Sequence, residues 1–197
     1  FVDYGGNFSL RQIKNWFMND MNLMEPTLNN NTEKIFKGFC GTSFSAPHVT
    51  HIAAKMERAL EKQLGQKPSA NLIRAMLANS AKITTKMEEW GMNSIDKYHK
   101  GKDNPKRERL MRLNGYGKIS DQLMISTDNV VTLFAEDKLS LRDFHLYKIP
   151  IPENFIKVRA TKSITVSLAY NPITKISRKE YLANNLWTEI FRRIDEE

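Results

Sequence analysis

The residues best suited to chemistry lie in one run, Gly41-Thr42-Ser43-Phe44-Ser45-Ala46-Pro47-His48-Val49. Its serine follows a glycine-bearing turn and stands at the start of a helical pattern. Val49, Ile52, Ala53, Met56, Leu60 and Leu64 recur at three- and four-residue steps, while Lys55, Glu57, Arg58, Glu61 and Lys62 take the other faces. The first turn of a helix leaves backbone N–H groups without intrahelical acceptors and carries the positive end of the dipole. Such a place favours negative charge, and acyl transfer develops negative charge on the attacked carbonyl oxygen. Ser43 is thus placed to attack a carbonyl while its own N–H holds the oxyanion, and Gly41 leaves room for a substrate backbone. The plainer reading of a Ser or Thr before a helix is an N-cap.

The whole nonapeptide resembles the serine motif of the subtilisin-like serine proteases, Gly-Thr-Ser-x-(Ser/Ala)-x-Pro-x-Val, at every fixed position. The chain around it is similar to that family over residues 1 to about 125. A long helix follows the serine, then a second helix over about 69–80, then the Gly115-Tyr116-Gly117 segment. Phe1-Val2-Asp3-Tyr4-Gly5-Gly6 is similar to the strand and turn that precede the serine region. The resemblance implies an α/β fold, the C-terminal part of a doubly wound parallel-sheet domain. It implies Ser43 as the nucleophile of an endopeptidase that cleaves polypeptide through an acyl-enzyme. The Ser43 N–H would be one oxyanion donor, with Gly41 and Thr42 shaping the turn, Pro47 starting the helix, and Phe44 beside the leaving-group side of the cleft. Calcium is common in the family, but no Asp-rich loop places a site here.

The family orders its triad Asp, His, Ser along the chain. No histidine precedes Ser43, Asp3 and Asp20 lack the Asp-x-Gly setting, and the asparagines near residue 30 have no motif around them. The expectation is that Asp, His and the oxyanion Asn come from a missing N-terminal part, and that this chain alone is inactive. His48 fills a position the family commonly gives to histidine, where its role is packing; a base must touch its nucleophile. His51 departs from the family's usual glycine or alanine. His99 and His145 read as surface residues. Cys40 invites a redox switch or an alternative nucleophile, against the ordinary reading of a small buried residue in a tight turn. The alternative function is a pseudoprotease or protein-binding scaffold.

Other segments are read from pattern. Leu10, Ile13, Trp16, Phe17 and Met21 stand near helical spacing, which predicts a short helix over 10–24, and Asn29-Asn30-Asn31-Thr32 reads as a loop. Residues 97–112 form a basic stretch around Gly101 and Pro105, read as a solvated loop. Beyond residue 126 the period becomes two, with strands predicted over 130–134, 144–151 and 164–170, and a helix or strand over 181–194. Two units follow: residues 1–125 as the end of a catalytic domain, and 126–197 as a small β-sandwich-like accessory module.

Bulk properties exclude little. The chain has 197 residues, 41% hydrophobic and 26% charged, and one cysteine, so no intrachain disulfide forms. No apolar run approaches bilayer length, and no membrane partner is expected. The net charge of +8 suits an acidic partner or nucleic acid, but no aromatic interleaving accompanies the basic residues, so nucleic acid is not favoured. Cutting an α/β domain here exposes a sheet edge and an apolar helix face, so association with the missing half or self-association is expected. The compartment is not legible.

Overall fold

A computed structural model describes residues 1–11, 16–18, 20–31, 33–98, 106–120, 130–177 and 182–191. Two antiparallel hairpins come first. Strands β1 (Ser9–Arg11) and β2 (Trp16–Met18) pair with Leu10 opposite Phe17, and β3 (Glu25–Leu28) pairs with β4 (Phe36–Phe39). The helix expected over 10–24 does not form among the described residues. Trp16 and Phe17 are aromatic residues suited to a pleated surface, and Met21 lies in the turn that follows. The asparagine loop is as expected: the Asn31 side chain accepts from the Glu33 N–H at 2.9 Å, and the Asn29 N–H closes onto Ile35.

Helix α1 (Thr42–Leu64) is the long helix predicted from the periodicity, and Gly65 ends it in the left-handed conformation, its N–H bonded to the Glu61 carbonyl. Pro47 does not start this helix. It is the sixth helical residue, inside the second turn. Having no N–H, it leaves the Ser43 carbonyl without its i+4 donor and loosens the first turn from the rest. Helix α2 (Ala70–Ser80) begins at the Ser69 cap, whose hydroxyl accepts from the Leu72 N–H at 3.2 Å. In the short loop between the two helices Lys67 bonds Glu57 at 2.9 Å, and that partner raises the lysine above its usual pKa of 10.5.

Within the basic stretch over 97–112 the described residues, 97–98 and 106–112, are helical, whereas residues 99–105, with Gly101 and Pro105, lie outside the described residues. Helix α3 (Thr85–Tyr98) starts where the Thr84 hydroxyl accepts from the Met87 N–H, and α4 (Lys106–Asn114) begins directly after Pro105. Lysine, arginine, glutamate, leucine and methionine, which fill α4, are good helix formers. His99 lies outside the described residues.

The core lies between α1 and α2. Met56, Leu60, Leu72, Met76 and Leu77 are buried with Ile119, and Val49, Ile52, Ala53, Ile73, Ala81 and Phe134 pack around them. Beside it runs a minimal sheet: Lys118 bridges Val2 in parallel and Lys82 antiparallel, with the Val2 N–H on the Gly117 carbonyl at 3.0 Å. The ladders described are antiparallel, so the expected doubly wound parallel sheet is not formed among the described residues. Parallel pairing joins strands distant in sequence, and Val2 with Lys118 is the pair of that kind found here. Gly117 has φ +103°, and a Cβ on it would lie 2.4 Å from the Lys82 carbonyl group. The close approach that builds this sheet therefore demands glycine.

Apart from α5 (Glu153–Lys157), residues 130–177 and 182–191 form no helix, with turns at 141–142 and 176–177, and the predicted strands of a β-sandwich do not form ladders among the described residues. Segment 164–170 leaves most of its apolar side exposed. Ser167 reaches Asn79 of α2 at 3.3 Å, whereas Ile164, Val166 and Leu168 are exposed. Alternation defines two faces but not which one finds a neighbour. Residues 182–191 are held by a bridge between Thr174 and Leu182 and are neither helix nor ladder strand.

Two substitutions test this packing by urea unfolding. Gly117→Ala is expected to cost about 3 kcal/mol or more, from combined backbone strain and steric overlap. Met56→Ala, at a side chain only 1% exposed, is expected to cost about 2–5 kcal/mol. Wild-type-like midpoints for both would show that the α1–α2 core and the Lys82–Lys118 pairing are not formed.

Candidate active site

The approach to Ser43 is built from the first residues of the chain. Gly41, immediately before α1, donates its N–H to the Gly5 carbonyl at 2.7 Å. A Cβ on Gly5 would sit 2.5 Å from the Gly41 oxygen, and one on Gly6, at φ +83°, would sit 2.6 Å from the Phe39 oxygen. Gly5 and Gly6, which the pattern marks as a turn, thus let two backbones touch. Gly41 itself is different. Its φ of 164° is extended backbone open to any residue, and a Cβ there would meet only the Ser43 nitrogen, at 3.9 Å. Neither strain nor crowding demands that glycine.

Ser43 is the second residue of α1 and is exposed. No side chain caps this helix and no acidic residue lies in its first turn, so its own first turn does not offset the positive end of its dipole. The N-cap reading of the Thr-Ser pair is not what the structure shows, because the cap position is Gly41 and both residues are already helical. Thr42 is exposed, and its carbonyl accepts from the Ser45 hydroxyl at 3.1 Å; Phe44 is half-buried with its N–H on the Gly41 carbonyl at 3.1 Å. Ser43 opens on a surface groove along α1 walled by Ala46, Pro47, Thr50, His51 and Ala54. His51 is exposed there.

Among the described residues none hydrogen-bonds the Ser43 hydroxyl. His48 is not packed in a core: its ring is 66% exposed, and its Nδ1 lies 3.0 Å from Asp3 Oδ2, on a carboxylate only 8% exposed. This pair joins residues 45 positions apart, and no local pattern announces it. Cys40 is half-buried beside Gly6 rather than fully buried. His145 lies away from the site, within 3.3 Å of the Tyr147 hydroxyl. Among the described residues no three His, Cys, Asp or Glu side chains converge as metal ligands. No described helix is long and apolar enough to cross a membrane.

The subtilase family model, peptidase S8, matches residues 2–117. The chain belongs to the subtilase family. The match takes in the strand-like start, the turn, Ser43, α1 to α4 and Gly117. The chain is also 35% identical over 157 residues to the uncharacterized protein y4bN of Sinorhizobium fredii (strain NBRC 101917 / NGR234), across 79% of its own length and 33% of the relative's. It therefore spans about a third of that relative. Only Phe1 precedes the family match, so the similarity to y4bN runs past residue 117 into the C-terminal region of this subtilase chain. No solved structure gives a significant match.

The contrast between the glycines is measurable by denaturation. Gly5→Ala is expected to destabilise the chain by about 1–3 kcal/mol through overlap with Gly41, whereas Gly41→Ala stays within about 0.5 kcal/mol. Equal effects would remove the close approach that holds the turn.

Proposed function

We propose that the chain is the serine-bearing part of a subtilisin-like endopeptidase that hydrolyses peptide bonds through an acyl-enzyme on Ser43. The observation that carries this reading is an exposed serine in an uncapped first turn of a long helix, within a chain that belongs to the subtilase family. The hydroxyl attacks the scissile carbonyl, its proton passes to a general base, and the tetrahedral oxyanion is held by the Ser43 N–H. The base, its aspartate partner and a second oxyanion donor belong to chain outside residues 1–197. Support comes from the absence of histidine before Ser43 and from a relative of which the match covers only 33%. The polypeptide substrate runs past Gly41, with Phe44 on the leaving-group side. The remaining part of the domain would cover the small-residue groove on α1.

One observation favours a second reading. His48 is engaged by Asp3, and Ser43 has no base among the described residues. A pseudoprotease or protein-binding scaffold would keep the same helices without needing one.

The two readings part on hydrolysis of an unfolded polypeptide by the intact protein. The protease reading expects turnover that Ser43→Ala lowers by about four to six orders of magnitude, the cost of losing triad members in subtilisin. The 197-residue chain alone is expected to show none. Turnover unchanged by Ser43→Ala, or none in the intact protein, supports the scaffold.

A further inference from the structure

The segment over residues 2–6 grips the helix bearing Ser43 at two places, one on each side of the serine. Two residues before it, the Gly41 N–H is bonded to the Gly5 carbonyl. Five residues after it, His48 is bonded to Asp3. The Asp3 carboxylate is nearly buried, and both of its oxygens are satisfied: Oδ1 accepts from the Tyr4 N–H at 2.8 Å, and Oδ2 faces His48 Nδ1 at 3.0 Å. A buried carboxylate oxygen without a donor is costly, so Asp3 and His48 hold each other in place. An ionised carboxylate only accepts, which puts the proton of this contact on Nδ1. Segment 2–6 is itself anchored, with the Val2 N–H on Gly117 and the Tyr4 hydroxyl on the Leu23 carbonyl.

The stretch between the two grips needs them. Pro47 removes the hydrogen bond that would tie the Ser43 carbonyl to the second turn, so helical bonding alone holds the first turn less firmly. We propose that Asp3 is a positioning residue for Ser43, acting through His48 to hold the start of α1 against segment 2–6. This rests on the protease reading above. Neither side chain touches the reacting atoms. Their contribution is the aim of the serine hydroxyl and the first-turn N–H groups at the substrate carbonyl.

The test is steady-state hydrolysis of a chromogenic peptide by the intact protein and three variants. Asp3→Leu and His48→Phe keep approximate shape but delete the acceptor and the donor, respectively. His48→Asn keeps an N–H donor close to the place of Nδ1. Loss of aim predicts that kcat falls about tenfold to a hundredfold in the first two, with KM within about twofold. His48→Asn stays within about threefold of wild type. The role is overturned if His48→Asn and His48→Phe are equally impaired, or if kcat is unchanged while only the melting temperature drops. Should His48→Phe prove insoluble, Asp3→Leu against His48→Asn makes the same comparison. An intact wild-type protein that cleaves nothing removes the protease reading and this role together. An active wild type with unaffected variants removes the role alone.

Discussion

The bond from the Gly41 N–H to the Gly5 carbonyl is where the two halves of this architecture meet. It requires backbone against backbone, and the glycines at 5 and 6 exist in the structure as the space for that approach. On one side lies segment 2–6, pinned to Gly117 and through it to Lys82 and the α1–α2 core. On the other lies the first turn of α1, with its uncapped N–H groups and exposed serine. Displacing this contact would leave the serine on a helix whose first turn is weakened by Pro47. The chemistry proposed for Ser43 therefore depends on packing between residues far from it in sequence.

How much was legible depends on the range of the interaction responsible. Helices α1 and α2 were readable because apolar periodicity, Ser69 and Gly65 are local signals, and the serine motif was readable because its residues are consecutive. Over residues 10–24 five of the eight apolar residues satisfy a helical spacing by coincidence, while the pairing of β1 with β2 depends on which partner is near. In the basic stretch the flanks 97–98 and 106–112 are helical because lysine, arginine, glutamate, leucine and methionine favour helix, a local signal that Gly101 and Pro105 obscure in the pattern. Pro47 was placed at a helix start when the helix begins five residues earlier. The Asp3–His48 pair had no signal at all: it spans 45 positions and needs the fold to exist first. A buried carboxylate in the opening segment is visible only once burial is known.

The C-terminal region shows the same limit from the other direction. Its alternation is real, and Phe134 joins the core while Glu136 accepts from the Ser69 N–H at 3.3 Å, so the region laces over the start of α2. Ser167, not its apolar neighbours, faces α2. Exposed Ile164, Val166 and Leu168 form an apolar row of the kind that sheet partners cover, and the similarity to y4bN continues past the subtilase match. The accessory module remains a proposal about how this row is used.

The central claim is that the first turn of α1 is the oxyanion-binding end of a catalytic serine site. It is tested most directly by a crystal structure of the intact protein after reaction with a peptidyl phosphonate. The account predicts phosphorus bonded to Ser43 Oγ and a phosphoryl oxygen about 2.7–3.1 Å from the Ser43 nitrogen. A phosphonate attached to another residue, or its oxygen turned away from the first turn, would contradict it.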